Sequence, residues 1–305
     1  MEWSVALNVV EPVAVTVRNA VRLEKAGFSS LWITDFPAIR SAAPLAAAVA
    51  ANTDSCRIGI GLLSPDLYGV NQITRQVSTL VTNFGDRFDV LIGPGDARAL
   101  NKIGVRPRRG GKQVDRVVEA AQRIGRNLQS LGQKSRVFLG AQGPKMIEAS
   151  SELDGVLLNY SDQEMIEWAI NRLKARRDGF VIGAFPPTCM DLGQDFDSHF
   201  PIRRAAAMVA FGMARSARRN FQLDEDLHDA QLALERTGRL NEDVIGLIDP
   251  EVLRRFAICK NKTQLCDYLH ELKGIGVDLV VLGPPLCTSE DGIEAAMETK
   301  KSCDP

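Results

Sequence analysis

At 305 residues, with 45% hydrophobic and 25% charged residues and a formal net charge of -1, the chain has the make-up of an ordinary globular protein able to bury a sizeable core. The balanced charge argues against broad attraction to nucleic acid or to an anionic membrane, both of which need a concentrated excess of Lys and Arg. The N-terminus MEWSVALNVV lacks the basic flank and long apolar core of a signal peptide, and no apolar run reaches the ~18 residues of a membrane span, so a cytoplasmic protein is expected.

Apolar runs alternate with helix-patterned segments along the chain. Strands are predicted at 3–10, 30–34, 56–63, 87–92, 135–140, 154–159, 179–185 and 277–283. Segments 13–26, 42–51, 112–131, 164–177 and 262–273 carry apolar residues at helical spacing with charges between them. Crossovers of this length join parallel strands, and eight parallel strands close a barrel, for which about 250 residues plus insertions suffice. The fold expected is therefore α/β, a (β/α)8 TIM barrel spanning 1–305 as one domain. Residues 186–276, rich in Ala, Arg, Leu and Asp, exceed a normal crossover and read as a helical insertion on the same barrel between strands seven and eight.

The stretch VRPRRGGK at 105–112 follows strand four, and its cations Arg106, Arg108, Arg109 and Lys112 either meet an anionic cofactor tail or form a solvated loop. The tail SCDP is expected to fray. The six cysteines make no C-x-x-C pair and the three histidines have no ligand spacing, so reduced thiols are expected and no metal site.

Chemistry in such barrels sits at the carboxyl ends of the strands. Asp35 ends SLWITD and Asp96 ends VLIGPGD; each is placed either as an acid at the barrel mouth or as a cap of the following helix. Gly140, Ala141, Gln142 and Gly143 precede Pro144, which fits a first helical turn, so this is a phosphate-cradling turn or simply a tight strand-to-helix connection. It is not a P-loop, because the glycine spacing is wrong and Lys145 is not followed by Ser or Thr. Gly59 and Gly61 within RIGIGLLSP mark a bulge or a close approach. No nucleophile triad stands out, and with few titratable groups at strand ends, cofactor-borne hydride transfer suits the chain better than hydrolysis.

Taken together, LWITD (31–35), RIGIGLLSP (57–65), IGPGDARALNKIGV (92–105), GAQGPKM (140–146), DGVLLN (154–159), IDPEVLRRFAI (248–258) and GVDLVVLGPP (276–285) resemble the luciferase-like flavin and deazaflavin oxidoreductases. The resemblance is greatest to the archaeal methylenetetrahydromethanopterin reductases. It implies a barrel that binds coenzyme F420 at the strand ends and passes a hydride to the methylene carbon of a pterin-linked one-carbon unit, in a homo-oligomer packed through barrel helices. It puts Asp35 and Asp96 beside cofactor and substrate, Gly140 to Gly143 near the cofactor phosphate, Ser64 and Gly95 among the cofactor contacts, and a non-prolyl cis peptide at Gly61-Leu62 behind the deazaflavin ring.

The departures from that pattern are specific. Asn8 stands where the family has the acid proposed to protonate the pterin, and an amide cannot act as that acid. Glu11, three residues further on, is the nearby carboxylate able to substitute. Leu63-Ser64-Pro65 replaces Thr-Asn-Pro, Phe36 replaces a histidine, and the segment between strands four and five is shorter. A divergent paralogue is expected. Its alternatives are a non-enzymatic barrel that binds a ligand or partner, and an FMN-dependent relative.

Overall fold

The computed structural model describes residues 1–107, 111–174, 176–190 and 195–303. The chain begins β1 (Glu2–Leu7), α1 (Val13–Lys25), β2 (Ser30–Thr34), α2 (Ala42–Ala50), β3 (Arg57–Leu63), α3 (Val70–Phe84), β4 (Phe88–Ile92) and α4 (Ala97–Lys102). It continues through α5 (Gly111–Ser130), β5 (Arg136–Ala141), α6 (Pro144–Ser150), β6 (Gly155–Leu158), α7 (Gln163–Ile170) and β7 (Val181–Ala184). A short strand β8 (Thr188–Met190) and a 3-10 turn (Phe196–Ser198) lead to α8 (Phe200–Gly212), α9 (Arg215–Asn220), α10 (Leu223–Asp226), α11 (His228–Thr237), α12 (Glu242–Ile245) and α13 (Pro250–Arg254). The chain ends β9 (Ile258–Lys260), α14 (Lys262–Gly274), β10 (Leu279–Cys287) and α15 (Glu290–Ser302).

Eight strands close a barrel in the order β1-β10-β7-β6-β5-β4-β3-β2, every neighbouring pair parallel. The expected (β/α)8 barrel is thus observed. Its strands read as near-continuous apolar runs because both faces are covered. The outward residues Leu31, Ile33, Val90, Ile92, Val137 and Leu139 join the shell core beneath the helices. Helix α5 meets that shell with Val117, Ala121, Ile124 and Leu128, spaced three and four apart on one face. Several helix starts are fixed by local capping. Asp162 accepts from the amide of Met165, and Asn261 and Gln264 form a reciprocal capping box.

The inward residues form layers, as barrel packing requires. At the amino-terminal end the carboxylate of Asp89, 1% exposed, takes paired hydrogen bonds from Arg57 (2.5 and 3.1 Å) and Arg136 (2.6 and 3.0 Å). Above it Ala6, Trp32, Leu91, Phe138, Leu157, Leu279 and Val281 fill the lumen. Trp32 meets Phe138 and Phe185 edge to face at centroid distances of 5.9 and 5.8 Å. Glycine at 59 is needed here, because a Cβ would run into the Trp32 ring.

Two details differ from the sequence expectation. β1 ends at Leu7, not at residue 10, because the side-chain oxygen of Asn8 accepts from the amide of Val10 at 3.0 Å and turns the chain out of the ladder. The segment between β7 and β10 is also not wholly helical. β8 pairs in parallel with β9, with Cys189 opposite Cys259, and α14 then returns to the barrel. Arg108, Arg109 and the last two residues of the tail lie outside the described residues; Arg106 and Lys112 are exposed. No helix among the described residues is long and apolar enough to cross a membrane.

Candidate active site

Strand side chains alternate between faces, so the residue two beyond each lumen-filling position points inward at the carboxyl mouth. That rule gives Asn8 after Ala6, Thr34 after Trp32, Gly61 after Gly59, Gly93 after Leu91, Gly140 after Phe138, Asn159 after Leu157 and Gly283 after Val281. Phe185, beyond β7, completes the ring and packs on the lumen cluster. The mouth is therefore lined by four glycines, three polar side chains and one aromatic ring.

Gly61 and Leu62 are joined by a cis peptide, with Gly61 at φ 150°. The strand pairing is irregular between Ile60 and Leu63. This turns the Leu62 side chain across the mouth, where it occupies the space that a Cβ on Gly93 or Gly140 would need. Leu62 is thus a partly exposed apolar platform resting on two glycines.

The polar groups around it differ in what they can still offer. The side-chain oxygens Thr34 Oγ1 and Asn159 Oδ1 are buried without a hydrogen-bond partner. A buried polar atom is normally paired, so these two oxygens mark candidate polar contacts at the mouth. Asn8 is committed: its amide donates to Glu11 Oε2 at 3.4 Å, while its oxygen takes the Val10 amide. Glu11 also accepts from Asn19 at 3.3 Å.

Asp35 follows β2 and is 6% exposed. Its Oδ1 accepts from the Ala42 amide at 2.8 Å, the first residue of α2, and Tyr68 donates its hydroxyl to the carboxylate at 3.2 Å. Burial pushes the Asp35 carboxyl above its ordinary range, against the opposing effect of these two hydrogen bonds. Asp96 is different. It is the exposed N-cap of α4, accepting from the Arg98 amide at 2.8 Å.

Ser64 ties the ends of β3 and β4 together by donating to the Pro94 carbonyl at 2.9 Å, and its oxygen accepts from the Asp66 amide at 3.3 Å. Gly95 beside it sits at φ 75°, a conformation that favours glycine. In the 140–143 turn, Ala141 ends β5 and Gly143 caps α6. Gln142 donates to the Val209 carbonyl of α8 at 3.0 Å, and a Cβ on Gly143 would lie 2.6 Å from the Ala214 methyl. The turn is held against the helices that follow β8.

The mouth therefore brings together Asn8, Gly61, Leu62 and Gly140, with Ser64, Gly95 and the rest of the 140–143 turn at its rim. Asp35 and Asp96 stand outside the inward ring, engaged with helix starts. Sequence reading passed over Thr34, Asn159, Phe185 and Tyr68. For the first three the period-two alternation from Trp32, Leu157 and Gly183 was the available signal. Among the described residues, no group of three His, Cys, Asp or Glu is placed to hold a metal ion.

Comparison with known proteins places the fold. The family model for luciferase-like monooxygenases matches residues 4–279. A 5,10-methylenetetrahydromethanopterin reductase of Methanolobus tindarius is 24% identical over 303 residues, covering 90% of this chain and 92% of its own. The structure of the coenzyme F420-dependent tetrahydromethanopterin reductase from Methanopyrus kandleri superposes with a TM-score of 0.79 at 21% identity, covering 98% of this chain and 97% of the other. An F420-dependent secondary alcohol dehydrogenase, solved with an F420-acetone adduct, superposes with a TM-score of 0.75 at 15% identity and the same coverage. With its closed parallel barrel and a family-model match over residues 4–279, the chain belongs to the luciferase-like monooxygenase family.

Proposed function

We propose that the protein is an oxidoreductase that binds coenzyme F420 at the barrel mouth and transfers a hydride between it and a small substrate. The observation that carries this reading is the apolar Leu62 platform in a mouth whose inward ring also holds two unpaired buried oxygens, Thr34 Oγ1 and Asn159 Oδ1. A flat ring with polar edges fits such a site. When bound, a deazaflavin supplies a two-electron hydride carrier. The protein's part is to position that ring and to exclude water from it.

In this reading Leu62 supports one face of the ring and Thr34 and Asn159 meet its edge. Ser64, Gly95 and the 140–143 turn hold the phosphate side. The Gln142 bond to Val209 fixes that turn in place. Asp35 lies behind the β2 strand end, where burial raises its pKa. The barrel and the helices between β7 and β10 act as one unit, and a soluble cytoplasmic homo-oligomer is the form proposed.

The finer reading, in which the acceptor is the methylene carbon of a pterin-linked one-carbon unit, comes with the reductases that share the sequence pattern. It needs an acid that Asn8 cannot supply. Glu11, held by the amides of Asn8 and Asn19, is the carboxylate on which that reading depends.

A second reading is favoured by the engagement of Asn8, Asp35 and Asp96 in local hydrogen bonds: a barrel that binds a ligand or partner without turning it over. Fluorescence titration of the purified protein with oxidised F420, with FMN in parallel, separates these. Saturable micromolar binding of the deazaflavin supports the oxidoreductase, preferential FMN binding changes the cofactor, and no binding of either ring leaves the second reading.

A further inference from the structure

A cleft of about 180 Å³ opens between the ends of β1 and β10 and the turn after β2. Its wall includes Asn8, Val10, Phe36, Ile39, Pro284 and Cys287. Val10 and Ile39 are 57% and 61% exposed, unusual for such side chains, and they form the outer lip. Arg40 holds this wall together. Its guanidinium donates to the Glu11 carbonyl at 2.7 Å while its backbone carbonyl accepts from the Phe36 amide at 3.1 Å. The turn after β2 is thereby fixed against the turn after β1.

Little in the cleft can serve a polar guest. The cleft presents an almost wholly apolar surface; the Asn8 amide is held in place by one bond at each end, and the Thr288 hydroxyl donates to the Pro285 carbonyl at 2.6 Å. Burial, reinforced by the charge of Glu11, pushes the Cys287 thiol up to about 12, so it stays neutral. Asn8, a member of the inward ring, lines the cleft beside Ala6, so the cleft adjoins the barrel mouth at the end of β1. An apolar cavity of about 150 Å³ accepts benzene, so a group of that size has room here.

We propose that this cleft is the subsite for an aryl or alkyl group of the substrate, and that it excludes polar ring edges such as that of a pterin head. The assignment rests on the substrate being bound at the same mouth as the cofactor. Buried amide and amino groups need partners, and the surface that this wall presents is almost wholly apolar. An aryl group seated between Phe36, Ile39 and Pro284 leaves the remainder of the substrate directed over Asn8 toward Leu62.

Saturation-transfer NMR on the full chain without cofactor tests this, with acetophenone and 6-methylpterin as probes. The expected result is saturable acetophenone binding and no comparable pterin binding. Ile39→Asp should weaken acetophenone by at least about tenfold, because its carboxylate would have to be desolvated, and Ile39→Leu should not. Ile39 is exposed, so neither variant threatens the core. Absence of acetophenone binding, binding unmoved by Ile39→Asp, or pterin binding of equal strength would overturn the proposal. So would a change of oligomeric state in Ile39→Asp, which would make a second copy the occupant. The F420 titration is independent of these readings, so failure of the cofactor assignment and failure of the cleft assignment are told apart.

Discussion

Tyr68 holds the carboxylate of Asp35 across 33 residues of sequence, its hydroxyl 3.2 Å from either oxygen. The pair joins the end of β2 to the turn after β3, and burial there raises the Asp35 pKa above its ordinary value of 3.8. A raised pKa favours the fold fully below that ordinary value, and the benefit is lost as pH rises through the folded value. Asp35→Asn keeps an acceptor for the Ala42 amide and carries no charge. Its stability relative to the parent should therefore improve from pH 4 to pH 8, as read by thermal unfolding at both values. A difference that stays constant with pH would refute the raised pKa of Asp35.

Asp96→Ala should lose about 1 kcal/mol through the lost cap of α4, whereas Asp96→Asn should lose almost nothing, since Asn caps equally well. Because Asp96 is exposed and outside the inward ring, turnover should persist in both variants. A fall of about 10²-fold or more in kcat for Asp96→Asn would return this residue to the chemistry.

Asp89→Ala should cost about 3–5 kcal/mol in urea unfolding, because it strands two guanidiniums at the base of the barrel. Burial alone would raise the Asp89 pKa, but the hydrogen bonds and charges of Arg136 and Arg57 outweigh it and hold the carboxyl below its ordinary range. Its contribution is therefore present above that range and is lost as acid protonates it. The variant should show a flatter acid limb than the parent.

Gly140→Ala should destabilise by about 1–3 kcal/mol, because the added Cβ would lie 2.6 Å from Leu62 Cδ1. Combined with Leu62→Ala the clash disappears, so the double mutant should be more stable than the sum of the two single effects predicts. Strict additivity in chemical denaturation would mean that Leu62 does not rest on Gly140.

The strands were legible because each is a run of apolar residues long enough to show on its own, and the crossovers carried helical spacing. β8 and β9 escaped notice because three residues hold too little periodicity to separate from a helix start. The turn at Asn8 was missed because Val9 and Val10 look like strand, while the deciding bond is made by a side chain. At the candidate site, the resemblance pointed to Gly61, Leu62 and Gly140, which line the mouth, but Tyr68 and Arg40 act on partners about thirty residues away, and no local spacing rule connects them. Asp35 and Asp96 were read with a capping alternative left open. The bonds to Ala42 and Arg98 give that alternative its geometry.

The pairing of β8 with β9 sets the two ends of a long excursion side by side against the barrel wall. Once those ends are pinned, further length costs only about 0.6 kcal/mol per doubling. Added length at the exposed turns between α8 and α13 is therefore tolerated, whereas the buried faces of these helices share one core with the barrel strands and must be kept. α8 is also the element that steadies the 140–143 turn through Val209. Length changes at those turns would then reshape the surroundings of the 140–143 turn while the shared core stays as it is.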